Sequence, residues 1–227
     1  MARKLEHDLA DLKDRVLRMG SLVEDAIRRS IKALVDRDRD QALAVIDGDT
    51  VINTHDVEIE EECIRLLAIW QPTGSNLRFI TTAIKIITDL ERMGDLAVDI
   101  CERSLELLDE PQLKPYIDIP RMAEAAQKML KDSLDAFVKK DPDLAMTVCE
   151  ADDFVDNLNQ QIFNELLVYM LQDPKNIARA VRLTYITKYL ERIGDHATNI
   201  AEMVVYMVKG KVIRHMACEM RETNSNP

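Results

Sequence analysis

The stretch of sequence that decides the fold occurs twice, at positions 100 residues apart. The first copy reads Leu90-Glu91-Arg92-Met93-Gly94-Asp95-Leu96-Ala97, and the second reads Leu190-Glu191-Arg192-Ile193-Gly194-Asp195-His196-Ala197. The correspondence extends towards the N-terminus, where positions 30–49 match positions 133–152 at an offset of 103 residues. Such a difference in offset is easily absorbed by a loop. The sequence therefore predicts two copies of one structural unit.

The composition indicates that this unit is helical. The chain of 227 residues has only 6 Gly and 7 Pro, whereas a sandwich or barrel would need turn formers every 8–12 residues or so. Apolar residues between Leu5 and Leu34 recur at spacings of three and four, as in an amphipathic helix. We predict an all-α fold of six helices, built as two tandem three-helix bundles.

Helix boundaries follow from breakers and caps. We predict helices near residues 4–37, 40–70, 76–108, 121–140, 142–171 and 174–209, with Asp40 capping the second and Gly210 ending the sixth. Three prolines in ten residues exclude a helix interior and mark a linker. The predicted organisation is a first repeat at 1–110, a Pro-rich linker at 111–120, a second repeat at 121–215 and a frayed tail at 216–227.

Charge and cysteine usage exclude several classes of function. The formal net charge of -11 argues against nucleic acid binding and against attraction to anionic membranes. No apolar run approaches the roughly 20 residues of a membrane span, and the N-terminus lacks a signal-peptide core. The four cysteines form no Cys-x-x-Cys pair, so we expect buried thiols. These features predict a cytoplasmic protein without membrane insertion.

The acids of the repeated stretch need an explanation. Glu91, Asp95 and Asp99 are four residues apart and therefore run up one helix face. They border an apolar stripe that contains Gly94, although buried charge is costly, adjacent like charges repel and a mid-helix Gly costs about 1 kcal/mol. The second copy keeps the same unfavourable set at Glu191, Gly194 and Asp195.

The second helix of each repeat carries further oxygen ligands. Asp49 and Asn53 are four residues apart, as are Asp152 and Asp156, and Asp56 lies one turn beyond Asn53. Antiparallel packing would make these residues face the acids of the third helix, an arrangement that suits hard cations such as Mg, Mn, Ca or Fe. The predicted metal ligands are the oxygen-bearing side chains of these helices: Asp49, Asn53, Glu91, Asp95, Asp99, Asp152, Asp156, Glu191 and Asp195.

Other interpretations stay open at this point. The acids could form ordinary solvated faces, with Arg92 and Arg192 as salt-bridge partners. His196 could be an accessory ligand, although a surface or hydrogen-bonded role is expected. No His follows a Glu by three positions, as a di-iron carboxylate enzyme would require, and no phosphate loop or nucleophile elbow is present. We therefore predict no enzyme, with a carboxylate-bridged metalloenzyme and a purely structural scaffold as alternatives.

The whole pattern resembles the PhoU family. The resemblance is carried by the two repeats, by the segment from Asp49 to Asn53 and above all by the segment from Glu191 to Glu202. It implies a cytoplasmic, non-enzymatic negative regulator of phosphate uptake and of phosphate-regulon signalling. The implied partners are the ATPase subunit of the phosphate ABC transporter, the sensor histidine kinase that is held in its phosphatase mode, and a second copy in a homodimer.

The resemblance also implies a cofactor. Family members bind multinuclear metal clusters, with iron or zinc expected and Mg or Mn as alternatives, on a Glu/Asp-x-x-x-Asp motif. This motif falls on Glu91/Asp95, Glu191/Asp195 and Asp152/Asp156, whereas Asp49/Asn53 departs from it through an amide. Since a neutral Asn binds a cation less strongly, we expect the halves to differ in metal affinity or nuclearity.

Overall fold

The computed structural model describes residues 2–210, which form six helices and no strand. The helices are α1 (Ala2–Asp36), α2 (Arg39–Trp70), α3 (Gly74–Leu107), α4 (Asp118–Lys139), α5 (Pro142–Gln172) and α6 (Ile177–Lys209), with a 3-10 turn (Pro174–Asn176) before α6. The predicted all-α fold of two three-helix units is confirmed. The predicted end of the second repeat at 215 and the tail at 216–227 lie outside the described residues. None of the helices within 2–210 is long and apolar enough to cross a membrane.

The predicted end of α6 at Gly210 is correct, whereas the predicted cap of α2 is not. Asp141 caps α5 by accepting hydrogen bonds from the backbone N–H groups of Asp143 and Leu144, and Gly210 ends α6 with a φ of 67°. The predicted cap of α2 is wrong, because Asp38, not Asp40, accepts from the backbone N–H of Gln41 at 2.9 Å. The helix begins earlier than expected, so Asp40 lies within its first turn.

The predicted start of α4 at Arg121 is also wrong, because the helix begins at Asp118. Pro120 is the third helical residue. A proline is tolerated there since the N–H groups of the first turn have no partner within the helix. The linker between α3 and α4 consequently spans residues 108–117.

The repeats are joined through two pairs of helices. Within each repeat the three helices all contact one another, and the repeats meet where α3 packs on α6 and α1 packs on α4. Arg78 near the start of α3 donates to the Met207 carbonyl near the end of α6, at 3.0 Å. Arg182 near the start of α6 donates to Glu106 at the end of α3, at 2.9 Å. The helices α3 and α6 are therefore antiparallel, and the buried side chains of both repeats form one continuous core.

The linker is held by side chains from both repeats. Arg37, at the corner between α1 and α2, donates to three backbone carbonyls at the end of α3, those of Leu107, Leu108 and Glu110. Arg179 of α6 donates to the Pro111 carbonyl at 2.8 Å. The buried Lys114 forms an ion pair with Glu165 of α5. These contacts anchor the linker along its length.

Candidate functional site

The mid-helix glycines mark the closest approach of two helices in each repeat. A Cβ placed on Gly94 of α3 would lie 3.2 Å from Asp49 Oδ1 and 3.2 Å from Ile52 Cδ1 on α2. A Cβ on Gly194 of α6 would lie 3.4 Å from Asp152 Oδ1 on α5. Glycine at position 94 therefore leaves room for Asp49 and Ile52 beside α3, whereas a methyl group at position 194 would make ordinary van der Waals contacts.

This packing produces two acidic clusters. The first acidic cluster consists of Asp49, Asn53 and Asp56 on α2 with Glu91 and Asp95 on α3. The second acidic cluster consists of the corresponding residues of the other repeat, Asp152, Asp156 and Asn159 on α5 with Glu191 and Asp195 on α6.

In the first acidic cluster the carboxylates repel one another. Asp49 Oδ2 accepts a hydrogen bond from Asn53 Nδ2 at 2.7 Å, whereas Asp49 Oδ1 is buried and accepts none from any residue within 2–210. Burial raises the pKa of Asp49, and Asp95 adds to the effect. Burial likewise raises the pKa of Glu91, with a further contribution from Asp95. The pKa of Asp56 is raised by burial and then by the nearby Glu60.

Arg92 offsets part of this repulsion, as the alternative interpretation predicts. Its guanidinium lies 3.6 Å from Asp95 Oδ2 and 3.5 Å from Glu91 Oε2. Its side chain is 58% exposed, so solvent and salt screen both ion pairs and keep their contribution small. Arg92 thus offsets part of the negative charge of Glu91 and Asp95. It does not reach the buried Asp49 Oδ1, which has no hydrogen-bond partner within residues 2–210.

The second acidic cluster differs from the first in its hydrogen bonds and ion pairs. Glu191 Oε2 accepts a hydrogen bond from Asn159 Nδ2 at 3.0 Å and also pairs with Lys188. Partial burial raises the pKa values of Asp156 and Asp195, and the negative charge of Glu191 raises them further. Both side chains remain exposed, so their carboxylates border the solvent.

Asp99 borders the first acidic cluster near the contact between α3 and α6. Burial raises its pKa first, and Glu102 and then Asp95 raise it further, while Arg103 and then Arg192 of α6 oppose the rise. The pKa of Tyr189 on α6 is in turn raised by burial and by Asp99. Asp99 therefore interacts with groups of both repeats.

A hydrogen bond between the repeats lies close to both clusters. His196 Nδ1 of α6 is 2.7 Å from Asp89 Oδ1 of α3. The prediction of a hydrogen-bonded His196 is thereby confirmed. Asp89 was not predicted, because its contact spans the two repeats and leaves no signal in the sequence. Asn159 was not predicted either, although its offset of 103 residues from Asp56 could have revealed it.

Three of the four cysteines lie in the core of the described part of the chain. Cys63, Cys101 and Cys149 are buried, as predicted, and Cys218 lies outside the described residues. Burial raises the pKa of Cys63 and of Cys101 to about 12. Both thiols are therefore protonated at neutral pH, and a thiol must lose its proton to bind a metal.

The donor chemistry of the clusters fits a hard cation. Carboxylate and amide oxygens dominate both clusters, and a cation would satisfy the buried Asp49 Oδ1. Within residues 2–210, however, no three His, Cys, Asp or Glu side chains form a group that is ready to hold an ion. The metal site consequently stays a prediction, and side chains would have to turn towards a bound ion.

Comparisons with known proteins agree with the resemblance. Residues 16–104 and 119–204 match the family described as the PhoU domain. The chain is 43% identical over 212 residues to an Aquifex aeolicus protein named phosphate-specific transport system accessory protein PhoU homolog, covering 93% of this chain and 96% of that protein. A protein of the same name from Pseudomonas aeruginosa is 38% identical over 228 residues, covering 100% and 94%.

Solved structures show the same architecture. The crystal structure of PhoU from Pseudomonas aeruginosa superimposes with a TM-score of 0.87 at 39% identity, covering 91% of this chain and 99% of that one. The phosphate transport system regulatory protein PhoU from Streptococcus pneumoniae gives a TM-score of 0.85 at 29% identity, covering 92% and 98%. Fold, repeats and sequence identity together show that the chain belongs to the PhoU family.

Proposed function

We propose that the protein is a cytoplasmic negative regulator of phosphate uptake and of phosphate-regulon signalling, without catalytic activity of its own. The observation that carries the proposal is the pair of matched acidic clusters, set on a fold shared with relatives that are named accessory proteins of the phosphate-specific transport system. A regulator needs surfaces that respond to ligands and partners, and the clusters provide two of them.

The proposed partners are the ATPase subunit of the phosphate ABC transporter and the sensor histidine kinase of the phosphate regulon. The protein couples them by holding the kinase in its phosphatase mode when phosphate is plentiful, and it acts as a homodimer. Deleting the gene is expected to derepress the uptake system in phosphate-rich medium, as measured by transcript levels. Unchanged expression would contradict the regulatory role.

The proposed cofactor is a metal ion on each acidic cluster. The ligands are drawn from Asp49, Asn53, Glu91, Asp95 and the bordering Asp99 in one repeat, and from Asp152, Asp156, Glu191 and Asp195 in the other. Iron or zinc is the expected metal, with Mg or Mn as alternatives. Its charge offsets the burial, and after it the carboxylate repulsion, that raise the pKa values of Glu91 and Asp156.

The metal proposal has its own test. Elemental analysis of protein purified without a His-tag or chelator should find bound metal, and the double variant Glu191→Gln with Asp195→Asn should contain less. A metal content near zero in both proteins would support solvated acidic faces with a purely structural role.

A further inference from the structure

The second acidic cluster is paired with a cation from its own helix. Lys188 of α6 lies one turn before Glu191, and its ammonium group forms an ion pair with Glu191 Oε2. The side chain of Glu191 is only 18% exposed, whereas that of Lys188 is 54% exposed. The ammonium group therefore reaches the shielded carboxylate from the solvent side of the helix.

The charge of Lys188 acts on further members of the cluster. Burial raises the pKa of Asp195 and Glu191 raises it further, and Lys188 is the strongest of the groups that oppose this rise. Burial and the neighbouring carboxylates also raise the pKa of Asp156, and Lys188 again opposes the rise. One lysine thus offsets part of the negative charge of three carboxylates.

The first acidic cluster has no counterpart of this lysine. At the offset of 100 residues the equivalent position is Thr88, whose side chain is neutral and donates to the Ile84 carbonyl of its own helix at 3.1 Å. In the described part of the chain, Arg92 is the cation that pairs with the carboxylates of the first cluster. The second repeat has the same arginine at Arg192, so the cation that distinguishes the clusters is Lys188.

An ammonium group and a metal ion would compete for the same carboxylates. Both are attracted to the oxygens of the cluster, and two cations held close together repel each other. A divalent ion can displace the lysine, because an ion pair as exposed as this one contributes little to stability. The displacement still lowers the affinity for the ion, since the attraction between Lys188 and the carboxylates is lost when the ion binds.

We propose that Lys188 competes with the metal ion at the second acidic cluster and thereby sets the metal concentration at which this cluster fills. In the metal-free protein Lys188 partly neutralises the carboxylates, and it moves into the solvent when an ion binds. The first cluster, with Thr88 at the equivalent position, fills without this competition. This inference rests on the metal sites of the proposed function.

The two repeats supply the variants for a test. In the Glu91→Gln/Asp95→Asn background, which disables the first cluster, Lys188→Thr introduces the residue of the first repeat and Lys188→Arg keeps the positive charge. The metal-free full chain is titrated by calorimetry with Mn²⁺ and with Zn²⁺. We expect Lys188→Thr to raise the affinity of the second cluster by about fivefold or more and Lys188→Arg to leave it within about twofold.

The reverse exchange tests the first cluster. In the Glu191→Gln/Asp195→Asn background, Thr88→Lys should lower the affinity of the first cluster for the same ions by about fivefold. Thermal unfolding without metal checks that every variant folds. At a fixed Mn²⁺ concentration, the rise in Tm should be larger for Lys188→Thr than for its parent, because a ligand stabilises a protein in proportion to the logarithm of its affinity.

Several outcomes would overturn the inference or its basis. An affinity in Lys188→Thr equal to or below that of its parent would exclude competition, as would an equal gain in Lys188→Arg, because the charge would then not be responsible. An unchanged affinity in Thr88→Lys would also contradict it. If the wild type bound neither ion, the proposed metal sites themselves would fail, which is distinguishable because no variant is needed to see it.

Discussion

The two acidic clusters have the same formal charge but hold their amide in different places. In each cluster the second helix of the repeat carries two carboxylates and one amide, and the third helix carries two carboxylates. In the first cluster the amide is Asn53, which donates to Asp49 on its own helix. In the second it is Asn159, which donates across the groove to Glu191. Asp56 thus offsets the neutral Asn53 in formal charge, and the expected difference in metal affinity or nuclearity between the halves stays a prediction.

This difference teaches that a repeated fold can vary its site without changing its charge. Asn53 donates to a proposed metal ligand on its own helix and so occupies one of that ligand's oxygens. Asn159 donates to a proposed ligand on the neighbouring helix and so orients it. The predictions below use the two repeats as controls for each other.

The largest effect is expected at the glycines. Gly94→Ala should destabilise the protein by about 1–2 kcal/mol, because the new methyl group lies 3.2 Å from Asp49 Oδ1 and Ile52 Cδ1 and crowds both. Gly194→Ala should stabilise it by up to about 1 kcal/mol, because its nearest contact is 3.4 Å and alanine favours the helix. Denaturant unfolding measures both changes. Equal stabilisation in both variants would mean that α2 and α5 pack with the same tolerance.

The next effect concerns the position of the amide. In the Glu191→Gln/Asp195→Asn background, exchanging the two residues by Asn53→Asp with Asp56→Asn should raise the Mn²⁺ affinity of the first cluster. The change removes the hydrogen bond that occupies Asp49 Oδ2. A gain of about tenfold is expected in calorimetric titrations, comparable to the effect of other groups that orient metal ligands. An unchanged affinity would indicate that only total charge matters.

A smaller effect is expected where the repeats meet. Asp89→Ala removes the partner of His196 and should lower the free energy of unfolding by about 1 kcal/mol. The corresponding residue of α6 is Tyr189, whose ring stacks on Tyr185. Tyr189→Phe keeps this stacking, so it should change the stability by less than about 0.5 kcal/mol. Equal losses in the two variants would contradict a specific role for the hydrogen bond.

The smallest effect is a dependence of stability on pH. The pKa values of Asp49, Glu91, Asp156 and Asp195 are raised in the folded protein, so the fold binds their protons more tightly than the unfolded chain does. The resulting penalty is present above the folded pKa values and disappears as the pH falls towards the ordinary carboxyl values near 4 or so.

In the absence of metal, Tm should therefore rise by a few degrees between pH 7 and pH values just above this range. The double variant Asp49→Asn with Asp156→Asn, one residue from each cluster, should flatten the rise. Calorimetric scans would contradict the interpretation if Tm of the wild type fell steadily over the same interval. Below that interval Glu62, whose pKa is lowered mainly by its hydrogen bond with Arg65, loses its contribution to stability.

Much of the fold and part of the site could be predicted from the sequence. Periodicity is a local property, so it gave the six helices, and the repeat gave their grouping. The approach of Asp49 to α3 also agrees with the sequence, because Asp49 borders the apolar stripe of its own helix and antiparallel packing was expected to make the acids of the two helices face each other. These predictions needed only the geometry of single helices and their antiparallel packing.

The remaining features depend on contacts between the repeats. The pairing of Asp89 with His196 and the electrostatic interaction of Asp99 with Tyr189 arise where α3 meets α6, and no spacing within either helix encodes that register. The early start of α4 has a different reason, since Pro120 reads as a helix breaker unless it falls in a first turn. Ile119 beside it is fully buried, which indicates that core packing draws this segment into the helix.

The anchored linker determines how the protein can move. Arg37 fixes its beginning to the first repeat, Arg179 ties it to α6, and Lys114 pins its middle to α5. A linker with contacts to both repeats along its length is expected to be rigid and not to act as a hinge. Because the two repeats also share one core, we expect a force on one repeat to rotate the whole molecule without bending it at the linker.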